Sequence, residues 1–469
     1  MNEPNKKLVL LGSAPIPKAL LAMGIPTMIG MMINALYNLV DAYFVGGLGT
    51  SQMGAISVVY PLGQVIVGLG LLFGNGAASY ISRLLGSGKK EEADKVVSTA
   101  LYGSIFTGAV LIVLSLIFLR PILTLLGATE SILPYAMTYA SIYVTFSIFN
   151  IFNVAMNNIV TSEGAAKTTM FALLSGAVLN MILDPIFISI FHLGVAGAAI
   201  ATAISQIVST FVYLYFILKK KSVFSFQLRN CQFTKTILSE IFKIGVPTLI
   251  FQLLTSLAIT LINTQSKTYG DSCIAGMGAV TRIISMGSLM VFGFIKGFQP
   301  IAGYSYGAKK YGRLREAIKT SILWSSVFCV IFGILVSVFA SPVISLFTTG
   351  DLDMVQIGEK ALRAHGISFM VFGFCVVYSS LFLALGKGKE GFVLGALRQG
   401  FCFVPAILIL PALFGMNGIL YAQPVADILS ALFTIIMAVK LHKELNRADS
   451  LLSVEKSANT ADFAPGSML

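Results

Sequence analysis

The stretch Met23–Gly47, MGIPTMIGMMINALYNLVDAYFVGG, decides the fold. It is too apolar for a helix on a soluble core and too polar for a plain membrane anchor. Pro26 interrupts what would otherwise be a straight apolar helix, and an interior proline removes one backbone bond and kinks the rod. Beyond the kink, Asn34, Tyr37, Asn38 and Asp41 recur at i, i+3, i+4 and i+7. That spacing lays them along one helical face. The stripe ends in a carboxylate inside an apolar segment, where a charge costs about 2.5–3.5 kcal/mol on insertion scales. Such a group faces a bundle interior or a wet cavity and marks a functional position.

The same character extends along the chain. Of 469 residues, 56% are hydrophobic and 11% charged, whereas a soluble protein carries about 25% charged residues. The composition predicts an all-α polytopic membrane protein with the lipid bilayer as its surroundings. A net charge of +12 invites a nucleic-acid reading. The basic residues, however, sit in loops between apolar helices, where they set topology, so no nucleic-acid partner is expected. No cleavable signal peptide is evident, since Lys6, Lys7 and Lys18 lead into a run long enough to span. Five scattered cysteines suggest neither a disulfide framework nor a zinc site.

Apolar runs long enough to cross about 30 Å predict twelve helices. They are expected at 15–46, 51–82, 93–119, 131–161, 166–190, 194–218, 240–268, 273–303, 313–339, 353–383, 389–412 and 416–440. Lysines and arginines crowd the termini and the even-numbered loops; only Arg120, Lys267, Lys360 and Arg363 fall in the odd loops. That bias predicts a multi-pass protein of the plasma or inner membrane with both termini in the cytoplasm. The organisation expected is a cytoplasmic N-terminus (1–14), an N-lobe of six helices (15–218) and a cytoplasmic connector (219–239). A C-lobe of six helices (240–440) and a disordered cytoplasmic tail (441–469), polar and poor in bulky residues, complete it.

The lobes repeat. One constant offset lays Gly24-Ile25-Pro26-Thr27 on Gly245-Val246-Pro247-Thr248, Gly49 on Gly270, Gly76 on Gly297, Gly86 on Gly307 and Gly194 on Gly415. The shared glycines and prolines read as packing and kinks. Six helices per copy is an even number, so the copies insert in one orientation and are related by an axis along the membrane normal, with the cavity between them.

The repeat does not copy its acids: Asp41 falls on Ile262, and Asp184 falls near Pro405 and Ala406. Residue counts from the helix ends place Asp41 and Asp184 about 8–9 Å below the outer surface. Asn180, one turn before Asp184, shares its face, and Tyr139 and Thr202 come in at about 12 Å. These five side chains from four helices form a candidate ion-coupling layer in the N-lobe. The plainer alternative is polar residues at helix ends, with Asn180, Tyr139 and Thr202 as interhelical glue. In the C-lobe, Arg282, Lys296, Arg398 and Asp427 are expected to be structural: an internal pair of Arg398 with Asp427, and Lys296 reaching toward a wet cavity. No catalytic constellation is visible. Gly86-Ser87-Gly88-Lys89-Lys90 lacks the spacing of a phosphate-binding loop, and His192, His365 and His442 form no metal pattern. No organic cofactor is expected, and energy for pumping would come from an ion gradient.

With these residues in place, the chain resembles the MATE multidrug and toxin extrusion family over residues 15–440, closest to its DinF-like and MepA-like branch. The likeness rests on G-I-P-T…N-L-V-D…G-x-L-G, the Asp184-Pro185 pair of the fifth helix, LFGNGAASYISRLLGSGKKEEA and FQPIAGYSYGAKKYGRLREA. The resemblance implies H+ or Na+ coupling through Asp41, Asn180, Asp184, Thr202 and Tyr139, with Na+ held by Asp41, Asn180, Asp184 and Thr202. It implies a conformational kink at Pro26 and substrate-lining positions at Asn34, Tyr37 and Asn157. The NorM-like branch instead has acids on the seventh and tenth helices, which here carry Asn263, Gln265 and Cys375. The function expected is export of amphipathic, often cationic small molecules by alternating access, performed by a monomer that is not an enzyme. The alternative within the superfamily is a dedicated exporter or a lipid-linked-precursor flippase, which an acidic N-lobe disfavours. A receptor or membrane enzyme would need a large extramembrane domain or a catalytic cluster.

Overall fold

The computed structural model describes residues 3–347 and 351–461. Ten helices among them are long and apolar enough to span a membrane. Two further spans are bent pairs, Leu133–Thr145 with Ser147–Ser162 and Leu352–Phe369 with Phe372–Ala384, each turning by 50°. Counting each pair once gives twelve spans: six in each lobe. The bends have a local cause. Ser147 Oγ donates to Val144 O at 2.7 Å, and the Ser368 hydroxyl is shared between His365 O at 3.1 Å and Asp427 Oδ2 at 3.0 Å. Hydroxyls that bond back to the preceding turn loosen and bend a helix.

The repeat is visible in the element boundaries. Helices start at Thr50 and Asp271, at Lys90 and Tyr311, and at Leu119 and Ala340, and the offset within each pair is the one that relates Pro26 to Pro247. The shared glycines divide into two kinds. Gly49 and Gly270 have φ of 128° and 94°, and Gly194 and Gly415 have 57° and 59°; they are turn residues, in a backbone region that a Cβ penalises. Their duplication marks the turns between spans rather than helix packing, which corrects the sequence reading for these positions. Gly86 and Gly307 are packing residues. A Cβ on Gly86 would collide with the carbonyl oxygen of Tyr304, and one on Gly307 would collide with that of Arg83. Tyr304 is the repeat equivalent of Arg83, so the second and eighth spans cross at a near-symmetric contact.

Interlobe bonds run from mid-depth to the side that carries both termini. Gln252 donates to Gln64, Asn75 donates to Thr248 Oγ1 at 2.9 Å, Thr27 Oγ1 donates to Gly293 O at 2.6 Å, and Ser79 Oγ donates to Leu383 O at 2.5 Å. Arg83 pairs with Glu240 at 2.7 Å. A short N-terminal helix, Glu3–Gly12, straps this side. Lys7 Nζ reaches Glu163 Oε1 at 3.4 Å and Lys221 O at 2.6 Å, while Arg313 of the C-lobe donates to the carbonyls of Leu10, Leu11 and Ala14. Glu163, beyond the end of the fourth span, is fully buried. Burial pushes its carboxyl above the usual range, against the pull of Lys7, the Val223 N–H and the Ser222 hydroxyl.

One expectation changes. The tail is not disordered from 441: the last helix runs Met416–Ala461. Tyr378 meets His442 at 2.9 Å, and Lys387–Glu444 and Arg315–Asp449 pair along it. Polar composition was a poor guide because these residues extend a helix already nucleated in the core, where propagation is cheap. The final eight positions lie outside the described residues. The connector packs against the third span. Ser98 Oγ donates to Ser225 O at 3.1 Å, Tyr102 OH donates to Phe226 O at 3.0 Å, and Val223 and Phe224 are buried.

Candidate functional site

The first span, Ile16–Gly46, brings Tyr37 and Asp41 to the fifth span, Ala166–Ile190, which carries Asn180 and Asp184. Asn180 Nδ2 donates to Asp184 Oδ1 at 3.4 Å and to Thr202 Oγ1 of the sixth span at 3.5 Å. Asp184 and Asp41 lie close enough for their charges to interact, and Tyr37 and Tyr139 feel both. Asp184 and Asn180 are 0% and 1% exposed. The five side chains of the expected layer therefore gather in one place. Tyr37, one turn before Asp41 on the first span, lies beside them.

The electrostatics of this cluster are unfinished. Asp41 Oδ1, Asn180 Oδ1 and Asp184 Oδ2 are buried without a hydrogen-bond partner. No lysine or arginine among the described residues forms an ion pair with either acid. A buried charge without compensation costs several kcal/mol, and an orphaned acceptor costs about 1–3 kcal/mol. Two carboxylates in one dry pocket also repel. The arrangement can take up a proton or a small hard cation, and either would supply what the three oxygens lack. The oxygen-only donor set of Asp41, Asn180, Asp184 and Thr202 fits Na+.

The other predicted positions are placed as follows. Pro26 is buried in the first span, and the next residue, Thr27, donates across the lobe boundary to Gly293 O at 2.6 Å, with Met23 O and Gly24 O each 2.9 Å from the same hydroxyl. Asn34 is exposed one turn before Asn38, whose side chain donates to its carbonyl at 2.7 Å. Asn157 is elsewhere. It lies near the termini side, donates to Tyr213 OH at 3.3 Å, and accepts from Lys296 of the C-lobe.

Tyr143 was missed by sequence reasoning. It stacks on Tyr139 with ring centroids 5.8 Å apart, and the i, i+4 spacing of the two tyrosines was the available signal. The polar set of Asn153, Gln206 and Thr210, joined by bonds of 2.8–2.9 Å, was also missed. Pairing between the fourth and sixth spans leaves no mark in local sequence.

In the C-lobe, Asp427 is saturated. Its Oδ1 accepts from Arg398 and Gln423, each at 2.8 Å, and its Oδ2 accepts from Ser368 at 3.0 Å. Arg398 also lies 4.5 Å from the Phe372 ring centroid. The expected internal pair is present, and Arg282 is exposed.

Comparison with known proteins agrees with this architecture. The MatE family model matches residues 26–186 and 247–408, two segments that begin at the repeat-equivalent prolines Pro26 and Pro247. The chain is 32% identical over 442 residues to the multidrug export protein MepA of Staphylococcus aureus strain MSSA476, covering 94% of this chain and 97% of that protein. A solved structure of MATE in the straight conformation superposes with a TM-score of 0.89 at 27% identity, over 94% of this chain and 99% of the other. An outward-facing multidrug resistance MATE family transporter of the MOP superfamily gives 0.88 at 27% identity, over 94% and 98%.

Proposed function

The chain belongs to the MatE family, a family of membrane transporters, and from that premise we propose that it is a secondary multidrug exporter. It moves amphipathic, often cationic compounds out of the cell against H+ or Na+, as a monomer in the plasma or inner membrane. The observation that carries the ion coupling is the pair Asp41 and Asp184, held together with three orphaned oxygens and no cationic partner. A proton or Na+ at this pair removes the uncompensated charge and lets the first span repack against Asn180 and Thr202. A cationic compound near Asn34 and Tyr37 gains from the same charge. Ion and substrate therefore compete for one electrostatic resource, which is the reciprocity an antiporter requires. Interlobe bonding at the termini side supports an outward-open state.

Dye uptake into inverted vesicles under an imposed ΔpH or ΔNa+ tests the reading. One gradient should drive uptake, and absence of movement under both would overturn it. The lysine and arginine bias supports termini on the cytoplasmic side. Cys231, half-buried in the connector, should then react with an impermeant thiol reagent only from that side, and labelling of intact cells from outside would reverse the orientation.

A further inference from the structure

The fifth and sixth spans, Ala166–Ile190 and Gly194–Leu218, touch along their length. Ser209 Oγ donates to Ala172 O at 2.9 Å, and a Cβ on Gly176 would collide with the same hydroxyl. Beside this contact the outer face of the pair forms a groove lined by Phe171, Leu174, Val178 and Ile182 of the fifth span and Val208 of the sixth. Apart from Ser175, every residue lining it is apolar. Phe171 and Ile182 are eleven residues apart, which is about 17 Å of helix. One leaflet of a bilayer contributes about 15 Å of hydrocarbon, so the groove has the length of an acyl chain.

Both walls of the groove lead to lysines on the side of the termini. Lys167, Phe171, Leu174, Val178 and Ile182 follow the spacing i, i+4, i+7, i+11 and i+15, so Lys167 heads the lining stripe of the fifth span. On the sixth, Val208, Val212, Tyr215 and Lys219 follow i, i+4, i+7 and i+11. Lys167, Tyr215 and Lys219 are exposed. Lys219 Nζ and Lys221 Nζ lie 5.9 and 5.7 Å from the Tyr215 ring centroid. The turn that closes the sixth span fixes this arrangement. Lys220 N donates to Ile217 O and Lys221 N donates to Phe216 O, with Lys220 at a φ of 52°, a helix-ending position that glycine usually fills. Among the described residues, none of Lys167, Lys219, Lys220 and Lys221 belongs to an ion pair. Glu163, the acid beside this turn, is already matched by Lys7, the Ser222 hydroxyl and the Val223 N–H. Topology asks for lysines on this side of the membrane. It does not ask that they head both walls of one groove.

We propose that the groove is a site for one anionic phospholipid of the leaflet on the termini side. The lipid phosphate sits among Lys167, Lys219 and Lys221, with Tyr215 at headgroup depth, and one acyl chain lies along residues 171–182. A lipid held there fastens the span that carries Asn180 and Asp184 to the span that carries Thr202, from the face opposite those buried groups. The site does not depend on the export reading.

Native mass spectrometry of the full-length protein tests it, after delipidation in detergent and titration with phosphatidylglycerol and phosphatidylcholine of identical chains. The wild type should hold its first phosphatidylglycerol at least fivefold more tightly than phosphatidylcholine. Lys167→Gln combined with Lys219→Gln should bring that ratio close to one. Lys319→Gln combined with Lys440→Gln, an equal loss of exposed charge in the C-lobe, should leave it unchanged. Val178→Trp, which fills the groove at constant charge, should weaken both lipids at least threefold. No preference in the wild type, or an equal fall in the two double variants, overturns the site in favour of diffuse surface attraction. Undiminished binding by Val178→Trp, or displacement by glycerol phosphate as effective as by the intact lipid, shows that no chain occupies the groove and overturns it too.

Discussion

In the C-lobe, Asp427 accepts three hydrogen bonds, one of them from an arginine. In the N-lobe, Asp184 accepts one bond, at 3.4 Å from Asn180, and leaves Oδ2 empty. Both acids are buried, at 5% and 0% exposure, on scaffolds built from one repeated design. What differs is saturation. A carboxylate whose lone pairs are filled by fixed donors fastens helices together and has little to offer a mobile ion. One left short of donors holds free energy that a proton or cation can release. Burial of an acid is therefore a weak sign of function by itself, and the count of its partners is the stronger one.

The largest expected effect tests the unsaturated side. Asp41→Asn and Asp184→Asn keep shape and remove the charge, so each should reduce ion-driven efflux in vesicles to background with near-normal expression. If the acids act as one unit, the double variant should be little worse than either single. Full efflux by Asp41→Asn would erase the contrast between the lobes. The saturated side should respond in stability instead. Arg398→Ala strands Asp427 and should cost about 3–5 kcal/mol, read as a lower melting temperature in detergent. Asp427→Asn should cost less transport than Asp41→Asn, and an equal loss would make the C-lobe knot a second coupling site.

A milder comparison concerns the two kinks. Pro26 and Pro247 occupy equivalent positions, and each is followed by a threonine bonded across the lobe boundary, Thr27 to Gly293 O and Thr248 from Asn75. Pro26→Ala should fold yet transport several-fold more slowly, because restoring a backbone bond favours one conformer. Pro247→Ala should transport close to normally, since its span carries no acid near mid-membrane. Equal rates for the two variants would demote both prolines to packing features.

Much of this was legible in advance, and the reasons differ by residue. Span positions follow from runs of apolar side chains, a local property. The N-lobe layer followed from depth, because helical rise is constant and Asp41, Asp184 and Thr202 could be measured from their helix ends. Depth could not place Asn157, whose partner Lys296 comes from the other lobe. Nor could it reveal Glu163, whose partner Lys7 reaches it from the N-terminal strap. The tail was misread because composition was weighed without the helix that precedes it. The duplicated glycines were recognised, but φ alone separates the turns at Gly49 and Gly270 from the crossing at Gly86 and Gly307.

That crossing lies at one extreme end of a 37-residue helix in each lobe. At 1.5 Å per residue each arm is about 55 Å long. A swing of about 10° at the glycine contact would sweep the far tip through roughly 10 Å, close to the diameter of an α-helix. The missing Cβ atoms let two backbones touch at that end, so a rotation too small to disturb local packing would open an aperture wide enough for a drug-sized molecule.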